Sequence, residues 1–360
     1  MEIGSEFHFY FNKSKSSYQK INIFKFNDTL VNYGRTAIKF LIESLRKTES
    51  LKGILLPNYL CESIIQPLKE SGIPYEFYKI DKYFKVQIYE LEKVLQPGWA
   101  VFILDYFNLR LGEEITEYLK KIKDTNIIIE DITHSFFDQK DPIGHFQIAS
   151  LRKWIGIPSG ALIRDLYKGE LRHFILPETC ERNKVIIQKR FYAANLKRLY
   201  LENNLTEDIK LEYLNLFAEA ENILDESNIK IQSIDSISQD IITHHDFKSM
   251  MKIRKRNYKI LYNGLKDVSE IEIMNGIADS NKIPLGFPIK AVNRNYLRKR
   301  LISEKVYSPI HWPLPKELLR GATADILNIS DNILTLPCDQ RYTEADMYRI
   351  IDVIKKYYCR

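Results

Sequence analysis

From about residue 31 to residue 165, short apolar runs alternate with longer stretches in which apolar residues recur every three to four positions. The apolar runs are ILLP (54–57), YEFYKI (75–80), AVFILD (100–105), NIIIED (126–131), FQIAS (146–150) and GALI (160–163). Runs of this length, rich in Ile, Val, Phe and Tyr, predict buried strands. Between them, RTAIKFLIESLRK (35–47), CESIIQPLKESG (61–72) and LGEEITEYLKKIK (111–123) have helical period. Alternating strands and helices predict an α/β unit: a mainly parallel sheet with helices on both faces, a three-layer sandwich. Ligands of such sheets sit at the carboxyl ends of the strands, so the residues just after each apolar run are the first candidates for chemistry.

Residues 165–280 are patterned differently, with long polar helical stretches such as KVIIQKRFYAANLKRLYLEN (184–203) and DFKSMMKIRKRNYKILYNGLKD (246–267). The basic cluster KIRKRNYK (252–259) reads either as a phosphate-backbone patch or as the solvated face of a helix with Met251, Ile260 and Leu261 turned inward. The periodicity around it favours the second. A smaller α+β unit closes the chain, built from IPLGFPI (283–289), RNYLRKRLISE (294–304), the proline-rich YSPIHWPLP (307–315), ILTLP (333–337) and TEADMYRIIDVIKKYY (343–358). The expected division is an N-terminal arm and large domain over 1–240 and a small domain over 241–360.

Composition narrows the function classes. Lys and Arg number 53 against 47 Asp and Glu, a net charge of +6 spread along the chain, so no single element is marked as a nucleic-acid face. The 360 residues are 45% hydrophobic, enough for one large core or two domains. Cys61, Cys180, Cys338 and Cys359 stand far apart, with neither a CxxC pair nor a His at ligand spacing, which argues against a zinc site or a disulfide framework. The N-terminus MEIGSEFHFYFNKSKSS has no apolar run like that of a signal peptide, and no window has the ~20 apolar residues of a membrane span, so the expected compartment is the cytoplasm. GxGxxG and GxxxxGK[ST] are both absent.

Three segments carry candidate chemistry. VNYGRTAIKFLIESL puts Gly34, Arg35 and Thr36 at a helix start, where free N–H groups, a hydroxyl and the helix dipole favour an anion. An ordinary helix start has the same look. NIIIED ends a strand with Glu130 and Asp131, followed three residues later by His134; the Asp could meet a cationic ligand atom, cap a helix or bind a metal. ASLRKWIGIPSGALI places Ser150, Arg152 and Lys153 in a tight turn after an apolar strand. A lysine there is a competent amine nucleophile for a carbonyl. The SxxK spacing has no SDN or KTG to accompany it, which removes the penicillin-binding reading.

In this order, the segments resemble the fold-type I pyridoxal-phosphate enzymes and, among them, the DegT/DnrJ/EryC1/StrS sugar aminotransferases. NYGRTAIKFLIESL is similar to that family's SGTAAL helix start, IIIEDITHSF to IEDAAHA, ASLRKWIGIPSGALI to its lysine loop, and YSPIHWPLP and ILTLPCDQRYTEADMYRIIDVIKK to its HWPL and LPLHPRLTEEDVERVIE segments. The resemblance implies a fold-type I architecture and pyridoxal 5'-phosphate as cofactor. It also implies a homodimer with the site between subunits, and amino transfer, from glutamate, to the keto group of a nucleotide-linked sugar. Lys153 matches the lysine that holds the cofactor covalently and shuttles a proton, and Asp131 the carboxylate that keeps the pyridine nitrogen protonated. His134 matches a ring-contacting position, while Gly34, Arg35, Thr36 and Ser150 match phosphate-binding ones. Tyr59 and Cys61 lie in the segment that supplies an aromatic stacked on the ring. Arg152, Arg341 and His311 are candidate substrate-anion contacts. The chain departs from the family in reading GRT for GT, in its short SLRK spacing, and in Asn108 where Gly is usual. Another pyridoxal-phosphate reaction on the same fold, or a regulatory or structural protein without turnover, are the alternatives.

Overall fold

The computed structural model describes residues 2–9, 23–49, 51–109, 111–138, 141–169, 171, 174–178, 180–203, 205–226, 228–274 and 282–358. Cys359 lies outside them. Strand β1 (Ile3–Gly4) precedes the main sheet, which begins with β2 (Asp28–Val31) and continues through α1 (Gly34–Thr48), β3 (Gly53–Pro57), α2 (Glu62–Ser71), β4 (Tyr75–Tyr78), α3 (Ile88–Val94), β5 (Trp99–Leu104), α4 (Glu113–Ile122), β6 (Ile128–Asp131), β7 (Phe146–Ser150) and β8 (Ala161–Asp165). Each of the six predicted strands is present, and each of the three predicted helices. Neither β2 nor α3 is marked by the apolar pattern. Strand β2 reads DTLV, half-buried at one edge, and α3 buries only Leu91.

The seven strands run in the order β2-β8-β7-β6-β5-β3-β4. From β7 to β4 all neighbours are parallel, while β8 is antiparallel to both β7 and β2. Strands β3, β5, β6 and β7 therefore end at one edge. So does β2, whose chain passes directly into α1. The chain steps from β3 outward to β4 and then returns to the other side of β3 as β5, a reversal of direction that opens a crevice at the carboxyl edge.

Two long helices, α5 (Glu181–Asn203) and α6 (Glu207–Asp225), form an antiparallel hairpin, followed by α7 (Ser236–Thr243) and α8 (Phe247–Leu265). The C-terminal part comprises β9 (Ile271–Ile273), β10 (Phe287–Ala291), α9 (Arg294–Ser303), β11 (Val306–Tyr307), α10 (Lys316–Leu319), α11 (Ala324–Asn332), β12 (Ile333–Leu336) and α12 (Glu344–Tyr358). Its three-stranded sheet packs against α8 and α12 around Phe287, Leu261, Leu301 and Ile350. Strand β1 pairs with β11, and Ile3 is fully buried in this second core, so the N-terminal strand joins the C-terminal unit. Trp312, Ile326 and Ile329 pack instead into the core of the main sheet, tying the two units together.

The KIRKRNYK helix differs from its expected face. Met251 and Ile260 are only half-buried, and the inward stripe is Met250, Arg254, Asn257, Tyr258 and Leu261. Arg254 is fully buried, and four hydrogen bonds satisfy its guanidinium there.

Candidate functional site

A cavity of about 1200 Å³ lies at the carboxyl edge of the main sheet. One wall is the start of α1 and the ends of β5, β6 and β7; the other comes from the C-terminal unit at Leu285, Ser308, Pro309, His311, Trp312, Thr335–Pro337 and Arg341. Gly34, Arg35, Cys61, Asp131, His134, Ser150, Arg152, Lys153, His311 and Arg341 all line it.

Lys153 ends a single 3-10 turn, Leu151–Lys153, that leaves β7. The turn is held to the end of β6. The Ser150 N–H donates to Thr133 Oγ1 (3.0 Å), and the Trp154 indole N–H donates to the Thr133 carbonyl (2.7 Å). From the far side Arg254 and Gln340 both donate to the Trp154 carbonyl, at 3.1 and 2.8 Å, and the Arg254 guanidinium lies 4.8 Å from the Trp154 ring. Among the described residues the Lys153 amine has no hydrogen-bond or ion-pair partner, and it projects into the cavity.

Of the two carboxylates that end β6, only Asp131 faces the cavity. Glu130 accepts the N–H groups of Ile143 (3.0 Å) and Gly144 (2.7 Å) and so fixes the loop before β7. Asp131 accepts the Thr133 N–H at 2.9 Å. Desolvation pushes its carboxyl above the ordinary range; the Thr133 hydrogen bonds and the Lys153 charge oppose the rise, and Asp105 at the end of β5 adds to it. Asp105 ends AVFILD as Asp131 ends NIIIED, and that likeness was a usable sequence signal.

His134 is buried on the cavity wall. Its Nδ1 accepts the Phe107 N–H (3.1 Å), which fixes the neutral tautomer with the proton on Nε2. Its ring stacks on Trp312 (5.4 Å, 25°) and lies 5.8 Å from that of His311. Desolvation, then the Lys153 charge, lower the His134 pKa to about 3, so the ring is uncharged at neutral pH. His311 is held well below its ordinary value by the same causes, and its Nδ1 contacts Thr335 Oγ1 at 2.9 Å. Asn108, where glycine was expected, adopts φ 65°, a left-handed conformation that Asn tolerates better than most residues. Its amide donates to Asp138 (2.5 Å).

The mouth of α1 faces Ser150, and a Cβ added to Gly34 would stand 3.4 Å from the Ser150 Cβ. The first N–H groups of α1 have no partner within the helix. Thr36 does not line the cavity. Its hydroxyl turns inward, accepting the Tyr33 N–H (3.0 Å) and donating to Asn32 Oδ1 (2.5 Å), and so serves as the helix cap. Arg35 lines the cavity, but its guanidinium is held by Asp225 (3.0 Å), Gln66 (2.9 Å) and Glu221 (3.7 Å).

Tyr59 is the second expected contact that the structure places elsewhere. It is fully buried behind the wall, with its hydroxyl donating to the His311 carbonyl (2.8 Å) and accepting the Trp312 N–H (2.7 Å). In the same segment it is Cys61 that reaches the cavity. Arg341 reaches it as well, but forms a two-pronged pair with Asp339 (2.8 and 2.9 Å) and lies 4.0 Å from the Phe7 ring. That pair is buried. Sequence reasoning missed Trp312 as a ring beside His134, Glu221 at the rim, and Arg190 buried behind Glu221. The last two sit in polar helices whose pattern gives no sign of what they face.

No protein-family model matches the chain, and no curated protein matches it in sequence. Solved structures do match in fold. A DegT DnrJ EryC1 StrS aminotransferase from Brucella abortus is 16% identical with a TM-score of 0.61, over 92% of this chain and 86% of that one. The PLP form of Spr1654 from Streptococcus pneumoniae is 12% identical with a TM-score of 0.62, over 95% and 93%. DesI, solved in the presence of its TDP-sugar product, is 13% identical with a TM-score of 0.63, over 92% and 81%. At these identities the likeness establishes the fold: the α/β architecture with a mainly parallel central sheet that the sequence pattern predicts.

Proposed function

We propose that this chain is a pyridoxal-phosphate-dependent aminotransferase that moves an amino group from glutamate to the keto group of a nucleotide-linked sugar. The observation that carries this reading is the joint placement of an unpaired lysine amine, a strand-end carboxylate and a helix N-terminus around one cavity. The residues suit the cofactor. The amine of Lys153 is available to a carbonyl, the neutral rings of His134 and His311 offer an uncharged wall, and the α1 mouth with Ser150 offers donors for a phosphate.

Pyridoxal phosphate, when bound, supplies an electron sink for the carbon that loses or gains a proton. Asp131 would hold a proton at the pyridine nitrogen, a role open to it as the strand-end carboxylate that lines the cavity. Lys153 would hold the cofactor covalently and then, as a free amine, carry the proton between the two carbons of the exchange. Gly34 N–H and the Ser150 hydroxyl would hold the phosphate, and His134, stacked on Trp312, would contact the ring. The cavity exceeds the ~300–1,000 Å³ typical of small-ligand pockets, which leaves room for a nucleotide-sized substrate beyond the cofactor. The TDP-sugar product in whose presence DesI was solved is of that size class.

The test is direct. Protein mixed with pyridoxal phosphate and reduced with borohydride should carry a covalent adduct on the Lys153 peptide. Lys153→Ala should carry none and should lose amino transfer by about 10²–10⁴-fold or more. Adduct elsewhere, or none in the wild type, would overturn the cofactor reading. An adduct without 2-oxoglutarate release from L-glutamate would favour a protein that binds the cofactor but does not turn over.

A further inference from the structure

Three guanidinium groups converge on one carboxylate where the α5–α6 hairpin meets the mouth of α1. Glu221 Oε2 accepts from Arg190 and from Arg152 (3.3 Å), and its Oε1 lies 3.7 Å from Arg35. The cations are the fixed partners: Arg190 is only 5% exposed, and Arg152 lies 5.6 Å from the Tyr33 ring. Glu221 is the peripheral one, its side chain 42% exposed at the cavity rim. Glu6, 3.6 Å from Arg190, and Asp225, paired with Arg35, are the further acids present.

Even these three carboxylates leave donors of the cluster unmet. The Nε atoms of Arg152 and Arg190 are buried without an acceptor, and both side chains line a second, water-sized cavity of about 30 Å³. Buried donors left unmet beside a polar space call for an anion with more oxygens than a carboxylate has. A phosphoryl group has three, in a geometry that matches guanidinium forks.

We propose that Arg35, Arg152 and Arg190 form a phosphoryl-binding subsite beside the mouth of α1, and that Glu221 holds it shut as an exchangeable counter-ion. Binding a phosphoryl group displaces Glu221 and loosens the end of α6. The subsite rests on the aminotransferase reading only for the source of that group, which is either the cofactor or a phosphate-bearing substrate. The exchange itself needs no chemistry at Lys153.

Calorimetric titration of the full chain with pyrophosphate tests it. Glu221→Gln should bind about tenfold tighter than wild type, since the competing charge is gone while the shape is kept. Arg152→Gln should bind about tenfold weaker. In the wild-type chain, pyrophosphate should speed amide exchange over the last turns of α6. These titrations use the chain free of pyridoxal phosphate, so failure of the cofactor reading would not disturb their result. If borohydride-fixed pyridoxal phosphate blocks pyrophosphate, the subsite belongs to the cofactor; if binding persists, it belongs to the substrate. Either result upholds the subsite. Unchanged or weaker binding in folded Glu221→Gln overturns the proposal. Should that variant not fold, exchange in α6 that is indifferent to pyrophosphate overturns it instead.

Discussion

Asp131 and His134 stand three residues apart, and the same desolvation favours the uncharged form of each. The consequences for stability have opposite signs. His134 binds a proton less readily folded than unfolded. Its contribution is therefore complete above the unfolded value of 6.5 and is lost as pH falls toward about 3. Asp131, raised by burial, contributes below its unfolded value and loses that contribution as pH rises. Between pH 7 and 5 the His134 effect should be visible, at up to about 2 kcal/mol by pH 5. His134→Gln keeps an acceptor for the Phe107 N–H but does not titrate. Its urea midpoint should therefore fall less than that of the wild type over this pH range; parallel curves would show that His134 is not the group responsible. At this scale position along a strand was enough to put Asp131, Ser150 and Lys153 on the cavity wall. It did not show that Tyr59 and Thr36 turn away from the cavity: Tyr59 is held by Trp312, far along the chain, and Thr36 by the capping contacts of its own first turn, at Asn32 and Tyr33.

At the scale of elements, the turn bearing Lys153 is short and has little rigidity of its own. It is pinned from three sides, by Thr133 after β6, by Gln340 before α12 and by Arg254 of α8. Burial lowers the Arg254 pKa to about 10, which still leaves it charged at neutral pH. The cost of burying it is offset by acceptors at Gln340, Pro284, Leu285 and Trp154. Arg254→Met would strand those acceptors and should destabilise the chain by about 3 kcal/mol in urea unfolding. Because it also frees one side of the lysine turn, kcat should fall more than KM rises in the folded variant. Equal loss in an exposed neighbour such as Lys252→Met would contradict this role. The cluster KIRKRNYK was legible as a helix, since helical period is local. Which of its five basic residues is buried was not, because the carbonyls that receive Arg254 come from residues 30 and 100 positions away.

At the scale of the molecule, the cavity has one wall from the main sheet and one from the C-terminal segments, and β1 returns to pair with β11. The aminotransferase reading carries with it a homodimer with the site between subunits. Light scattering after gel filtration should then give twice the 42.5 kDa chain mass, and a monomer at micromolar concentration would count against it. The sequence by itself determined the strand and helix order and the candidates at the strand ends. Apolar period and strand-end position are properties of neighbouring residues, and they survive in any tertiary setting. Only the tertiary structure decided that Asp131 rather than Glu130 faces the cavity, that Cys61 rather than Tyr59 reaches it, and that Glu221 closes on three arginines. Each of those outcomes turns on a partner distant in sequence, whose approach is set by packing and charge rather than by any local pattern.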